Sequence, residues 1–176
     1  MTTYVLAGGC FWCLDAVFRK LSGVERSIAG YAGGSAEDAE YYRVASGQTG
    51  HAESVKITFD ETIIPKATVL DIFFLIHDPT SLNKQGADEG TQYASKMFYE
   101  NEEQKTEFAA ALARAQKTWD KPIVTKLEKL DTFYDAESEH QNYFENNPAN
   151  PYCPVVIAPK VSKARKAYAK WFKEEA

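Results

Sequence analysis

Apolar and polar positions alternate along this chain with two periods, and the switches between them mark its elements. Tyr4–Ala7 is a short apolar run ending at Gly8-Gly9, which predicts a buried strand and a sharp turn. From Phe11 the apolar residues Leu14, Val17, Phe18 and Leu21 fall at helical spacing, with Asp15, Arg19 and Lys20 on the polar side. Gly23 ends that helix, and Val24–Gly30 predicts a second strand. A glycine- and serine-punctuated stretch follows, long enough to imply function or a short hidden helix. SVKITFD, from Ser54 to Asp60, alternates as a strand does. Lys66–Ile76 predicts a helix apolar over most of its surface. A polar, turn-rich loop, HDPTSLNKQGADEG, separates it from a strand over 91–99.

The second half repeats the theme. Glu102–Trp119 predicts an alanine-rich helix, IVTKLEKLDTFY a single strand, and Glu137–Glu145 a short helix. Four prolines, from Pro148 to Pro159, then make the chain irregular, with a strand possible at Val155–Ile157. Ser162–Lys173 predicts a final helix with a basic, solvated face. Strand–helix–strand order at both ends predicts an α/β sandwich around a mixed or antiparallel sheet. Residues 1–176 are read as one catalytic domain, with 146–176 an irregular segment and helix packed on it.

Composition narrows the function. The chain has 44% hydrophobic and 26% charged residues, a globular balance, and 13% aromatic residues, enough to line a pocket. A net charge of −5 argues against nucleic acid as a partner. The longest apolar stretch, around Leu70–Ile76, is far too short to span a bilayer, and the N-terminus lacks the basic region of a signal peptide. A cytoplasmic address is the expectation, and there the three cysteines are thiols rather than a disulfide framework.

AGGCFWC carries the chemistry. After the glycine turn, Cys10 would sit at a helix N-terminus, where free N–H groups and the helix dipole favour a thiolate. Cys10 is therefore a candidate nucleophile, and Cys10–Cys13 has the spacing of a dithiol exchange pair. A zinc site would need further ligands such as Cys153 and His51, which form no second compact pair. No phosphate-binding glycine pattern is present.

Taken together, GGCFWC, GYAGG, TGHAE, DPTSLNKQGADEGTQYAS and EHQNYFENNPANPYC resemble the type A peptide-methionine sulfoxide reductases, block by block and in that family's order from residue 8 to residue 153. The resemblance implies a two-layer α/β sandwich around a mixed, largely antiparallel sheet with long active-site loops. It implies thiol-dependent reduction of the S epimer of free or protein-bound methionine sulfoxide, with thioredoxin or another dithiol as reductant and no metal or organic cofactor. By motif, Cys10 is the nucleophile and Glu53 the acid at the sulfoxide oxygen. Phe11 and Trp12 are pocket rings, and Tyr41, Tyr93 and Asp88 complete the substrate site. Tyr42 stands beside Tyr41 as an alternative. Cys13 occupies a position where many relatives carry Gly. The resemblance favours Cys153, after Tyr152 in the proline-rich tail, as the thiol that resolves the Cys10 sulfenic acid, with Cys13 as the alternative. Two other functions compete: a general thiol–disulfide oxidoreductase built on Cys10 and Cys13, and a non-enzymatic methionine-binding or zinc-stabilised module.

Overall fold

The structure, a computed structural model, describes residues 1–174; the last two residues of the segment read as 146–176 lie outside the described residues. In chain order the elements are β1 (Thr2–Gly8), α1 (Phe11–Phe18), β2 (Val24–Ala32), α2 (Tyr41–Ala45), β3 (Ala52–Phe59) and α3 (Lys66–Leu75). There follow the two-residue strands β4 (Lys84–Gln85) and β5 (Asp88–Glu89), then β6 (Ser95–Tyr99), α4 (Glu102–Gln116), β7 (Lys126–Lys129), β8 (Phe133–Asp135), α5 (Tyr143–Asn146) and α6 (Ala158–Ala167).

Six strands form one sheet in the order β7-β6-β1-β3-β2-β8. Among the described residues only the β6–β7 pair is parallel. Alternation along β1 sorts the core. Tyr4 and Leu6 face the helices with Val55, Ile57 and Phe59, while Val5 and Ala7 face the other way. That outer face is a small patch with Ala32, Ala52 and Phe98, covered by Leu130 and Phe133. The helices thus lie on one face, where Phe11, Leu14, Val17 and Phe18 of α1 and Val69, Ile72 and Phe73 of α3 are fully buried. The layering is the two-layer, largely antiparallel α/β arrangement read from the sequence.

Several predicted elements differ. The alternating run 123–134 is two strands, β7 and β8, on opposite edges of the sheet. The break falls between Leu130 and Phe133, both of which cover the outer patch and so need the chain to cross the sheet. Residues 91–93 form a 3₁₀ turn before β6, tied down by the Gln92 side chain donating to Ala45 O at 3.1 Å. The helix expected over 137–145 is broken by Asn142, whose φ of 51° is left-handed and whose N–H donates to Asp15. Val155–Ile157 belongs to a π-helical turn, Cys153–Ile157, that runs directly into α6. Pro159 has no N–H for the preceding turn, and the Ala158 N–H reaches back five residues to Cys153 O. The helix expected over 162–173 therefore begins earlier and ends at Ala167. The stretch after β2 does hold a short helix, α2, with the Glu40 carboxylate capping the N–H groups of Tyr42 and Arg43. Among the described residues no helix is long and apolar enough to cross a membrane.

Candidate active site

The turn between β1 and α1 is packed so closely that glycine is required twice. A Cβ on Gly8 would lie 2.9 Å from the His77 ring, and one on Gly9, at φ 90°, 2.6 Å from Gln85 Cγ. Cys10 follows as the N-cap of α1 and makes no side-chain capping bond. The vacant cap is filled from β3: the Phe11 N–H donates to Glu53 Oε1 at 3.1 Å. Glu53 thus meets the helix mouth through the residue next to Cys10.

Glu53 is 2% exposed. Burial, reinforced by the charges of Asp88 and Cys13, pushes its carboxyl up to about 8, against the stabilising Phe11 N–H. The group is therefore largely protonated near neutrality and can donate a proton to an oxygen in the site. The Cys10 thiol is buried as well. Burial first, then its hydrogen bond to Cys13 and the charge of Glu53, raise it well above an ordinary thiol, while the Trp12 N–H acts the other way. A protonated Glu53 removes one of those opposing charges.

An aromatic wall stands beside the nucleophile. Phe11 is fully buried, with Tyr31 at 5.7 Å and Tyr41 at 6.5 Å between ring centroids. Tyr41 stacks on His140 at 4.3 Å, and Trp12 on Tyr143 at 3.7 Å and 6°. Trp12 Nε1–H donates to His140 Nδ1 at 3.1 Å, which leaves the proton of a neutral ring on Nε2; burial lowers the His140 pKa and favours that neutral form. Burial and the charges of Glu53 and Cys10 push the Tyr41 phenol up to about 12, so it remains a donor. The Tyr93 phenol is raised by burial and by the charges of Glu53, Asp88 and Cys10, so it too remains a donor. Tyr42, by contrast, is 79% exposed.

Cys13 Sγ is 3.8 Å from the Tyr152 hydroxyl, which donates to Asp88 Oδ2 at 2.7 Å. Its hydrogen bond with Cys10 is the main cause that lowers the Cys13 pKa, against burial. Cys153 donates to Asn147 O at 3.3 Å and is raised by burial and by Cys13. Cys13 is the immediate neighbour of Cys10, its N–H donating to Cys10 O at 3.1 Å, and Cys153 follows Tyr152, whose hydroxyl meets Cys13. A cavity of about 340 Å³ opens here, lined by Cys10, Asp88, Tyr152 and Lys160 among others.

The structure therefore gathers Cys10, Phe11, Trp12, Cys13, Tyr41, Glu53 and Asp88 in one place, with the turn that carries Tyr93 packed against β3 and Cys153 in the turn after Tyr152. Residues that the motifs did not single out hold this group together. Glu137 accepts from the Tyr31 hydroxyl and the Tyr41 N–H, at 2.8 and 3.0 Å. Asp15, read as a polar-face residue, is 1% exposed and accepts from Arg19, from Ser27 Oγ and from the Asn142 N–H. It ties α1 to the loop that carries His140 and Tyr143. Glu137 meets partners about a hundred residues away, so no local pattern marks it; Asp15 has a local i,i+4 partner in Arg19, but the bonds that bury it, to Ser27 and the Asn142 N–H, come from other elements. His51, weighed as a zinc ligand, has both ring nitrogens engaged, one with the Gly34 N–H and one with Ser35 O. The His/Glu group that among the described residues could hold a metal is Glu137, Glu139 and His140, and it contains no thiol.

Comparison with known proteins gives a consistent set of relatives. Residues 2–172 match the family described as Peptide methionine sulfoxide reductase. The chain is 54% identical over 171 residues to "Peptide methionine sulfoxide reductase MsrA" of Paenarthrobacter aurescens strain TC1, covering 97% of this chain and 98% of the relative. Among solved structures it is similar to reduced Mxr1 from Saccharomyces cerevisiae, with a TM-score of 0.82 and 35% identity over 87% of this chain and 89% of that one. It is also similar to Mxr1 in a structure described as a complex with Trx2, with a TM-score of 0.57 and 28% identity over 81% and 84% of the two chains.

Proposed function

The chain belongs to the peptide methionine sulfoxide reductase family, and from that premise we propose how its own residues divide the reaction. The protein is an enzyme that reduces methionine sulfoxide to methionine at the expense of thiols. The observation that carries the assignment of roles is the Glu53 carboxyl: buried, protonated near neutrality, and bonded to the N–H that follows Cys10.

The Cys10 thiolate attacks the sulfoxide sulfur while Glu53 passes its proton to the oxygen, which cannot leave as a bare oxide. Tyr41 and Tyr93 donate hydrogen bonds to that oxygen. Phe11 and Trp12, held by Tyr143 and His140, form the apolar wall for the S-methyl group. Three fixed points (nucleophile, oxygen donors, methyl wall) accept one hand of a chiral sulfoxide, the S epimer by the family resemblance. Methionine leaves, and Cys10 remains as a sulfenic acid. The sequence favoured Cys153 as resolver, but the neighbourhood of the thiols supports a relay. Cys13 condenses first with Cys10, releasing water. Cys153 then attacks Cys13, regenerating the Cys10 thiol and leaving a Cys13–Cys153 disulfide. A thioredoxin-like dithiol reduces that disulfide by exchange. In this reading the chain acts as one catalytic domain in the cytoplasm, without metal or organic cofactor, on free or peptide-bound methionine sulfoxide.

The test is one equivalent of sulfoxide without reductant, followed by quantitation of methionine and peptide mapping of disulfides. Wild type and Cys153→Ser release one methionine, and Cys10→Ser releases none. Cys10–Cys13 is the disulfide trapped in Cys153→Ser. Methionine release by Cys10→Ser would overturn the nucleophile, and a Cys10–Cys153 disulfide in a Cys13→Ser variant that turns over at the wild-type rate would overturn the relay.

A further inference from the structure

A second cavity, of about 290 Å³, opens over the aromatic wall and is lined by Trp12, Tyr41, Tyr42, Tyr143, Glu139 and His140, with Asn147 at its edge. Trp12 and Tyr41 belong also to the sulfoxide site, so the two are contiguous. Tyr42, which no step above uses, is the most exposed large apolar side chain among the described residues. It stands edge-on to Tyr41, with ring centroids 5.6 Å apart and planes at 78°, so a face of its ring is open. The Glu40 carboxylate accepts from the N–H groups of Tyr42 and Arg43 and fixes the backbone that carries the ring. Among the lining residues Glu139 alone is charged: His140 is neutral, and the Asn147 amide donates to Tyr143 O. Glu139 is exposed and has no ion pair or hydrogen bond among the described residues, and Arg43, the cation of α2, pairs instead with Glu37 and Asp38. Glu137 lies within 4.8 Å of Glu139 but is committed to Tyr31 and Tyr41. Open ring faces beside an unpaired carboxylate make a site that lacks its cation.

We propose that Tyr42 and Glu139 form a subsite for a lysine or arginine side chain next to the methionine sulfoxide in a peptide substrate. The inference deepens the reductase reading and rests on it for the place of the sulfoxide. A side-chain cation over the open Tyr42 face is drawn by the ring, and Glu139 pairs with it. Its aliphatic stem lies against the same rings that enclose the sulfoxide. Consecutive Cα atoms are only about 3.8 Å apart, so a residue beside the methionine sulfoxide reaches the adjoining cavity. An apolar side chain would meet the ring but draw Glu139 from water unpaired, and an acidic one would be repelled by Glu139 and Glu137. A metal ion does not suit the site, because His140 has no free lone pair: Nδ1 accepts from Trp12 and Nε2 holds the proton of the neutral ring. The contact is remote from the reacting sulfur and is made equally before and during attack, so it lowers KM and leaves kcat unchanged.

The test compares two tripeptides blocked at both ends, each with methionine (S)-sulfoxide in the middle and either lysine or its neutral isostere norleucine on both sides. Steady-state reduction is followed with dithiothreitol for wild type, Tyr42→Leu, Glu139→Gln and, as a control for net charge, Glu25→Gln at the exposed far end of β2. Wild type and Glu25→Gln should show a KM about tenfold lower for the lysine peptide, with equal kcat. Tyr42→Leu and Glu139→Gln should each cut that preference to about threefold or less and leave the norleucine peptide unaffected. Equal KM values in the wild type overturn the inference, as does a preference that survives either substitution or falls as far in Glu25→Gln. A loss seen only when thioredoxin replaces dithiothreitol would assign this rim to the reductant and overturn it too. Failure of the wild type to reduce either peptide or blocked methionine sulfoxide would instead overturn the reductase reading itself.

Discussion

Replacing Glu53 by Gln tests the acid role and its physical cause together. The amide oxygen can still accept the Phe11 N–H, so the helix mouth stays capped, but no proton can be delivered. With its carboxyl at about 8, roughly nine in ten Glu53 side chains are protonated at pH 7, against roughly one in three hundred at an ordinary glutamate value. Burial thus enriches the acid about 300-fold, within the range of about 10²–10⁴ that general acids contribute. Methionine release in a single turnover should fall by at least about a hundredfold in Glu53→Gln, and the acid limb of the wild-type profile should decline above pH 8. Stability should move the other way. Between its unfolded value near 4.5 and about 8 in the fold, Glu53 binds more protons folded than unfolded, so wild-type stability falls as pH rises through that window. The loss is on the order of 3 kcal/mol at pH 7, and Gln does not incur it. Urea unfolding should find Glu53→Gln more stable than wild type at pH 8.5 and similar at pH 4. Methionine release within twofold of wild type, or a variant equally destabilised at both pH values, would refute the reasoning.

Two further substitutions probe the scaffold. Asp15→Ala leaves Arg19, Ser27 Oγ and the Asn142 N–H without their shared acceptor and should cost about 3–5 kcal/mol in urea unfolding, with a raised KM because the loop bearing His140 and Tyr143 is released. Gly30→Ala would drive a Cβ into both Phe133 Cζ and the Tyr134 carbonyl oxygen, so β8 should loosen from β2, with a stability loss of about 1–3 kcal/mol and faster amide exchange in β8.

How much could be read in advance followed from how local each signal is. The strand before Cys10, the amphipathic α1 and the buried α3 declare themselves in periods of two and 3.6, because side chains of a single element share a face. The glycine turn, the cysteine at the helix mouth and the ordered motif blocks pointed to Cys10, Glu53, Tyr41, Tyr93 and Asp88. Alternation failed where it did not correspond to pairing. The run 123–134 reads as one strand, yet its ends pair with opposite edges of the sheet. Asp15 reads as solvated because three-residue neighbours on a helix do not reveal what packs against them.

What the chain alone determined is the set of elements and the kind of chemistry, since backbone preference, hydrophobic period and residue type are properties of short segments. Only the tertiary structure decided which carboxylates become dry and which thiols become neighbours. Glu53 is an ordinary glutamate until β3 sets it under the mouth of α1, where the loss of water raises its pKa. Cys13 stands next to Cys10 because Cys10 caps the first turn of the helix, and Cys153 comes near that helix because the π-helical turn Cys153–Ile157 packs on α1. Desolvation and proximity are sums over residues far apart in the chain, and no local pattern carries them.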